Sequence, residues 1–236
     1  MPSPSRSKQM KQMQKAAQRK RVRAQLRHQE TQISHPNVKE TMRSAGGWKL
    51  HEVLLTRDWQ DPEGLVQAIV ARRSPAGVIA AGVFLVDLAC LGVKRASAGV
   101  FRSVPEYEET LRDSVTTSQP MEVADLDLVA KILREGITYA RSLGFEPDPE
   151  YRTAVLILGT ADPTRCDTPV RLGGSDGKPF FFAGPRDDAK AVIATLLAKC
   201  GPGGFDYVVP IHPDGQPITG SELDAIAYDD EEIDEE

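Results

Sequence analysis

Hydrophobic residues are concentrated in one segment near the middle of the chain, residues 77–94, GVIAAGVFLVDLACLGVK. Asp87 is the one acidic residue of this run, and Gly82 and Gly92 interrupt it. The run is longer than an average strand, so it predicts a long or bent strand, or two strands, buried on both faces. Side chains alternate between the two faces of a strand. The expected faces are Val83, Leu85 and Ala89 on one side, and Phe84, Val86, Leu88 and Cys90 on the other.

The clearest helical pattern covers residues 124–144. Its apolar positions recur with helical spacing and form one continuous face: Leu126, Val129, Ala130, Leu133, Ile137 and Ala140. Shorter apolar stripes predict helices over residues 104–115 and 189–199. A further short helix is expected to begin at residues 61–64, with Leu65, Ile69 and Val70 as its apolar face.

Other segments predict strands and turns. Residues 48–56 alternate and then become apolar, as a strand does, and residues 205–209 are interpreted as a last short strand. The glycine-rich segment 173–177 lies between residues 169–172 and 178–183, an arrangement typical of a hairpin. Residues 147–158 begin like a helix but continue with β-favouring side chains, so their type stays open.

Charge divides the chain into three parts. Residues 1–29 carry only basic charges, and residues 201–236 carry many acids and no Lys or Arg, so the net charge of −5 hides a strong separation. We expect a basic, largely disordered arm over residues 1–44 and an acidic, disordered tail over residues 211–236. Residues 45–210 are enough for one domain with a real core. Their mixed pattern predicts a single α+β domain, with a small mixed or antiparallel sheet packed by three or four helices.

The basic arm has more than one interpretation. It would contact nucleic acid or another polyanion through residues 1–29, and the candidate residues are Arg19, Lys20, Arg21, Arg23 and Arg27. The alternative is a solvated tail, since no aromatic residue lies among these charges to stack on bases. A third interpretation is that residues 19–27 contact the acids at 229–236, which would inhibit nucleic-acid binding.

The cysteine pattern and the hydropathy of the chain indicate the cellular compartment. Cys90, Cys166 and Cys200 form no CxxC pair, and their odd number favours free thiols in a reducing environment. The basic N-terminal residues are not followed by the apolar segment of a secretory signal. The apolar run holds Asp87, which would be costly inside a lipid bilayer. We therefore expect a cytoplasmic protein with no membrane partner.

Asp87 is the residue that invites a catalytic interpretation. A carboxylate within an apolar run needs a partner, and Lys94 is the natural candidate. In a functional role, Asp87 would be a metal ligand or a general base with a pKa set by burial. In a structural role, it would cap backbone amides or pair with a base at the end of a strand.

The remaining motifs support neither a cofactor nor a metal. The Gly177–Lys178 step lacks the spacing of a phosphate-binding loop, and Pro179 follows it instead of a helix. The four histidines are scattered, no CxxC or HxxxH pair supports zinc, and no GxSxG nucleophile motif is present. Cys90 with His51 as a thiol and its base stays open beside a buried structural cysteine.

Three segments carry a resemblance to known proteins: FLVDLACLGVK at residues 84–94, YARSLGFEP at 139–147 and GKPFFFAGPRD at 177–187. They resemble a group of bacterial proteins that share an LVD-x-x-CLGVK segment and have no assigned activity. The resemblance covers about residues 77–200 and implies a shared fold but no catalytic residue. Some similar proteins end in a short Cys-rich zinc motif like that of a secretion ATPase, where this chain has its acidic tail.

Together these observations predict a non-catalytic, cytoplasmic binding or adaptor protein that touches nucleic acid or a ribonucleoprotein through its basic arm. The alternative is a metal-assisted hydrolase that uses Asp87 and acids brought near it by the fold.

Overall fold

An antiparallel sheet lies at the centre of the protein. The computed structural model describes residues 38–61, 64–184 and 187–209. The strands of the sheet are β1 (Lys49–Thr56), β2 (Leu65–Arg73), β3 (Ile79–Asp87), β4 (Gly92–Phe101) and β5 (Met121–Val123). Their order is β4-β3-β2-β1-β5, so the first four strands form a meander and β5 pairs with the outer edge of β1. The predicted α+β class, with an antiparallel sheet, is confirmed.

The apolar run at residues 77–94 supplies the interior of this sheet. It forms β3, a turn over residues 88–91 and the first residues of β4, and the two strands pair antiparallel. Both faces of β3 are covered, as predicted, with Phe84 and Val86 in one core cluster and Val83 packed against another. The expected alternation ends at Asp87, because the chain leaves the strand there, and Cys90 belongs to a third cluster.

The segment after residue 64 is a strand, so the helix predicted there is wrong. β2 pairs with β3 along its whole length, from Leu65 opposite Asp87 to Arg73 opposite Ile79. β1 pairs with its other edge. Pairing on both edges and burial of β-branched side chains such as Ile69 and Val70 outweigh a weak helical spacing.

The helices are, in chain order, α1 (Val38–Ala45), α2 (Val104–Tyr107), α3 (Asp113–Ser118), α4 (Leu126–Ser142), α5 (Tyr151–Ala154) and α6 (Ala189–Cys200). A π-helical turn, Glu108–Arg112, joins α2 to α3, and 3₁₀ helices cover Val155–Leu158 and Pro163–Arg165. Helices therefore lie where the sequence predicts them over residues 104–115, 124–144 and 189–199. The segment that the sequence leaves open, residues 147–158, ends in helix.

The two faces of the sheet carry separate core clusters. Helices α1, α4 and α5 cover one face, where Met42, Leu133 and Ala154 are buried against side chains of β1 to β4. Tyr107 of α2 and Val115 of α3 cover the other face. Met42 and Ala45 are fully buried, so the folded part includes α1, which lies largely within the segment 1–44 that charge assigns to the arm.

A third cluster lies beyond the turn between β3 and β4. It contains Cys90, Phe181 of strand β6 (Phe180–Phe182) and Leu196 of α6. Strand β6 pairs in parallel with β7 (Asp206–Val208), so the predicted hairpin around residues 173–177 is wrong, whereas the last strand is confirmed. The glycine turn does form, but the backbone on each side of it bonds to the β3–β4 turn: Gly173 N–H donates to the Leu88 carbonyl and Phe180 N–H to the Ala89 carbonyl.

Substitution of two glycines by alanine tests how closely the backbone packs in this fold. Gly159 has φ = +60°, and a Cβ there would clash with the Gly46 carbonyl oxygen. Gly159→Ala should therefore lower the free energy of unfolding by about 3 kcal/mol or more, through left-handed backbone strain plus a steric clash. Chemical denaturation followed by circular dichroism measures this loss.

Gly177→Ala is the matched control, because Gly177 has φ = +81° but a Cβ there would meet nothing within 4 Å. Its cost should be the backbone strain alone, about 1 kcal/mol. Equal losses in the two variants would contradict the close approach of Gly159 to Gly46.

Candidate functional site

Asp87 ends strand β3 and caps the turn that follows it. Its Oδ1 accepts hydrogen bonds from the backbone N–H groups of Ala89, at 3.0 Å, and Cys90, at 2.9 Å. The residue is 5 % exposed. This is the local side-chain-to-backbone arrangement of an Asx turn, and it positions the segment between β3 and β4.

The ion pair expected between Asp87 and Lys94 is not formed. Lys94 Nζ instead lies 2.6 Å from Asp187 Oδ2, and that carboxylate also accepts from the Gly184 N–H at 2.8 Å. The lysine of β4 thereby connects the sheet to the segment before α6. The sequence places Asp187 near the start of a helix. Its pairing with Lys94 could not be predicted from local pattern, because the two residues are 93 positions apart in the chain.

Burial dominates the electrostatics of Asp87. Loss of hydration raises the pKa of its carboxyl group, and the nearby Lys94 charge and the amides of residues 89–91 oppose this rise. Within the described part of the chain, no three His, Cys, Asp or Glu side chains are arranged to hold a metal ion. The hydrogen bonds of Asp87 therefore support its structural interpretation.

Cys90 lies in the third core cluster, with no exposed surface, and Cys200 and Tyr139 pack against that cluster. Burial raises the pKa of the Cys90 thiol far above its ordinary value, and it raises the pKa of Tyr139 to about 12. The imidazole of His51 lies elsewhere, edge-on to Tyr107 in the cluster on the other side of the sheet, with ring centroids 6.0 Å apart. Cys90 and His51 therefore do not meet, and Cys90 is an inert thiol.

Glu52 anchors the helical segment on the second face. Its Oε1 accepts a hydrogen bond from the Tyr107 hydroxyl, and its Oε2 lies 3.2 Å from Arg112 Nε. A register shift between Leu50 and Glu52 marks a β-bulge in β1. These three side chains satisfy one another. Because they are 55 and 60 residues apart, the sequence carries no signal for the group.

Arg72 of β2 is a buried cation that sequence reasoning missed. Its guanidinium donates to three carbonyl oxygens: Nε to Ile157 at 2.7 Å, Nη1 to Trp48 at 2.9 Å and Nη2 to Leu158 at 2.9 Å. Among the described residues, no carboxylate pairs with it. Burial lowers its pKa, but a guanidinium stays protonated in proteins, so a positive charge remains beneath this part of the surface.

An open groove lies beside Arg72, where the chain passes from α1 into β1. It has a volume of about 450 Å³ and is lined by Gly47, Trp48, Lys49, Arg73, Ser74 and Pro75. Lys49 and Arg73 are directly opposite each other on β1 and β2, and both are exposed. Within residues 38–61, 64–184 and 187–209, neither cation has a hydrogen-bond or ion-pair partner. The strand register brings these two cations together from distant positions in the chain.

The basic residues that the sequence singles out, Arg19, Lys20, Arg21, Arg23 and Arg27, lie outside the described residues. The chain passes from them through α1 and Gly46–Gly47 directly into the groove. Sequence reasoning did not connect the two features. The available signal was the position of Trp48 and Lys49 immediately after the glycine pair.

No helix among the described residues is long and apolar enough to cross a membrane. Comparison of the chain with protein family models, with curated proteins and with solved structures gave no significant match. The resemblance to the bacterial LVD-x-x-CLGVK proteins therefore stays an interpretation of the sequence.

Neighbouring arginines provide a test of the buried guanidinium. Arg72→Met should lower the free energy of unfolding by about 3 kcal/mol, because three buried carbonyl groups lose their donor. Arg73→Met, at the next and exposed position, should change it by less than about 0.5 kcal/mol. Urea denaturation of both variants measures the difference, and similar values for the two would contradict the role of Arg72.

Asp87 is tested by two substitutions of different chemistry. Asp87→Ala should cost about 3 kcal/mol of stability, because it leaves buried amide donors without an acceptor. Asp87→Asn keeps an oxygen that can accept from both amides and should cost much less. Thermal denaturation compares them, and equal losses would show that the hydrogen bonds to Ala89 and Cys90 are unimportant.

The pH dependence of Asp87→Asn has a defined sign. Burial raises the pKa of Asp87 in the folded protein, so the folded state binds this proton more tightly than the unfolded chain does. The wild type should therefore lose stability relative to Asp87→Asn as the pH rises from about 4 through the raised pKa. A relative gain by the wild type over this interval would show that the capping amides outweigh burial.

Proposed function

We propose that this protein is a non-catalytic, cytoplasmic binding or adaptor protein that contacts nucleic acid, alone or in a ribonucleoprotein, through its basic arm and the groove at Trp48. The observation that carries the proposal is the pair of cations Lys49 and Arg73, which lie opposite each other on β1 and β2 and have no partner among the described residues. Lys49 lies 20 residues after the basic stretch, residues 1–29, whose charges are all positive.

Like charges directly opposite each other on neighbouring strands destabilise a sheet. The buried guanidinium of Arg72 adds a third positive charge beneath the same part of the surface. A bound polyanion would offset this repulsion, and its phosphates would release counterions on binding. Binding of a polyanion would therefore relieve the charge repulsion between Lys49 and Arg73.

The compartment is part of the proposal. All three cysteines are free, which supports a reducing environment such as the cytoplasm. The hydrolase alternative has no comparable support, because the Asp87 side chain accepts hydrogen bonds from the amides of its own turn.

The proposal predicts salt-dependent binding of a short fluorescein-labelled oligouridylate by the full chain, measured by fluorescence anisotropy at about 50 mM and about 200 mM salt. Replacing Arg19, Lys20, Arg21, Arg23 and Arg27 together by Gln should weaken binding at least about tenfold at the lower salt. Lys49→Gln combined with Arg73→Gln should weaken binding as well, and each lost phosphate contact should lower the salt slope by about 0.7.

The matched control is Lys190→Gln combined with Lys199→Gln. It removes two exposed cations from α6, on the part of the fold that packs against the third cluster. Its affinity should stay within about twofold of the wild type, since α6 contributes no residue to the groove. An absence of binding at the lower salt, or an equal loss in this control, would overturn the proposal.

A further inference from the structure

We infer that the groove at Trp48 is a binding site for an unpaired base of single-stranded nucleic acid, with Lys49 and Arg73 contacting the adjoining phosphates. This inference rests on the proposed function and names the form of nucleic acid that the same surface would take. Trp48 thereby joins the proposed binding surface. The site should prefer unpaired bases, a preference that a purely electrostatic contact does not have.

Trp48 is held in place through its backbone. Its N–H donates to the Ala45 carbonyl at 2.9 Å, and its own carbonyl accepts from Arg72 Nη1 at 2.9 Å. The first contact ties it to the end of α1 and the second to β2. These bonds hold the backbone of Trp48, and its half-buried side chain packs partly against the main core.

The second tryptophan provides a contrast. Trp59 is 7 % exposed and belongs to the core, whereas Trp48 lines the groove beside Lys49 and Arg73. An aromatic surface with adjacent Lys and Arg side chains is the usual composition of sequence-tolerant single-strand sites, where bases stack on rings and cations follow the backbone. The arm holds no aromatic residue among its charges, so the aromatic ring on which a base would stack comes from the folded domain.

The shape of the site favours a single strand. The groove is open and, at about 450 Å³, lies within the range of about 300–1,000 Å³ that is usual for small-ligand sites. An indole can stack only on a base with a free face, and in a duplex both faces of each internal base are already stacked. A duplex would reach Lys49 and Arg73 but not Trp48.

The experiment uses the full chain and three probes: a short oligouridylate, an RNA duplex of the same length and inorganic polyphosphate. Oligouridylate should quench the tryptophan fluorescence, because a stacked base lies against the indole, whereas polyphosphate should bind without quenching. Trp48→Phe should remove the quench while the affinity for oligouridylate stays within about threefold, since a phenyl ring still stacks.

Trp48→Ala should weaken oligouridylate binding by about 10- to 100-fold and leave polyphosphate binding unchanged. Tyr207→Ala is the matched control, because Tyr207 is an aromatic residue that is 54 % exposed and lies on β7, which contributes nothing to the groove. It should change neither affinity. Circular dichroism shows whether Trp48→Ala folds; if it does not, the quench in the wild type and its loss in Trp48→Phe decide the question.

The outcomes separate this inference from the proposed function. Equal binding of oligouridylate and polyphosphate, with no quench and no effect of Trp48→Ala, would overturn the base site and leave the polyanion contact standing. Binding of the duplex as tight as that of the single strand would also overturn the base site. If neither oligouridylate nor polyphosphate binds, both proposals fail together.

Discussion

The buried guanidinium of Arg72 joins three parts of the chain that the sequence keeps far apart. It connects β2 to the segment after α1 and to the end of the helical segment before Gly159 through carbonyl oxygens of Trp48, Ile157 and Leu158. Carbonyl groups at a helix end carry partial negative charge, and a guanidinium has five donors in a planar fork. The cation is therefore solvated by backbone dipoles, and no carboxylate of the described residues cancels its positive charge.

The surface beside Arg72 depends on this arrangement. Strand geometry sends Arg72 inward and Arg73 to the other face, where the antiparallel register places Lys49 opposite. Trp48, fixed by the same guanidinium, borders both cations. One buried interaction thus connects the segment after α1 to β2 and to the end of the helical segment before Gly159, beside the groove.

Several other polar groups of the domain have structural partners. Asp87 closes the β3–β4 turn through backbone amides, Lys94 pairs with Asp187, and Glu52 is shared by Tyr107 and Arg112. Each of these groups is satisfied inside the fold. Lys49 and Arg73 are exposed, alike in charge and without a partner in the described part of the chain, as are other surface cations such as Lys190 and Lys199; what sets Lys49 and Arg73 apart is their position opposite each other on neighbouring strands.

The sequence by itself determined the features that depend on local pattern: the α+β class, the buried apolar strand within residues 77–94, the α4 helix with its continuous apolar face, and the separation of basic and acidic segments. Only the tertiary structure decided the features that depend on pairing between distant residues. Two-sided strand pairing made residues 65–73 a strand in spite of their helical spacing. The third cluster turned the expected hairpin into a parallel pair. The groove itself brings Trp48 and Lys49 to Arg73 through strand register, which no local preference encodes.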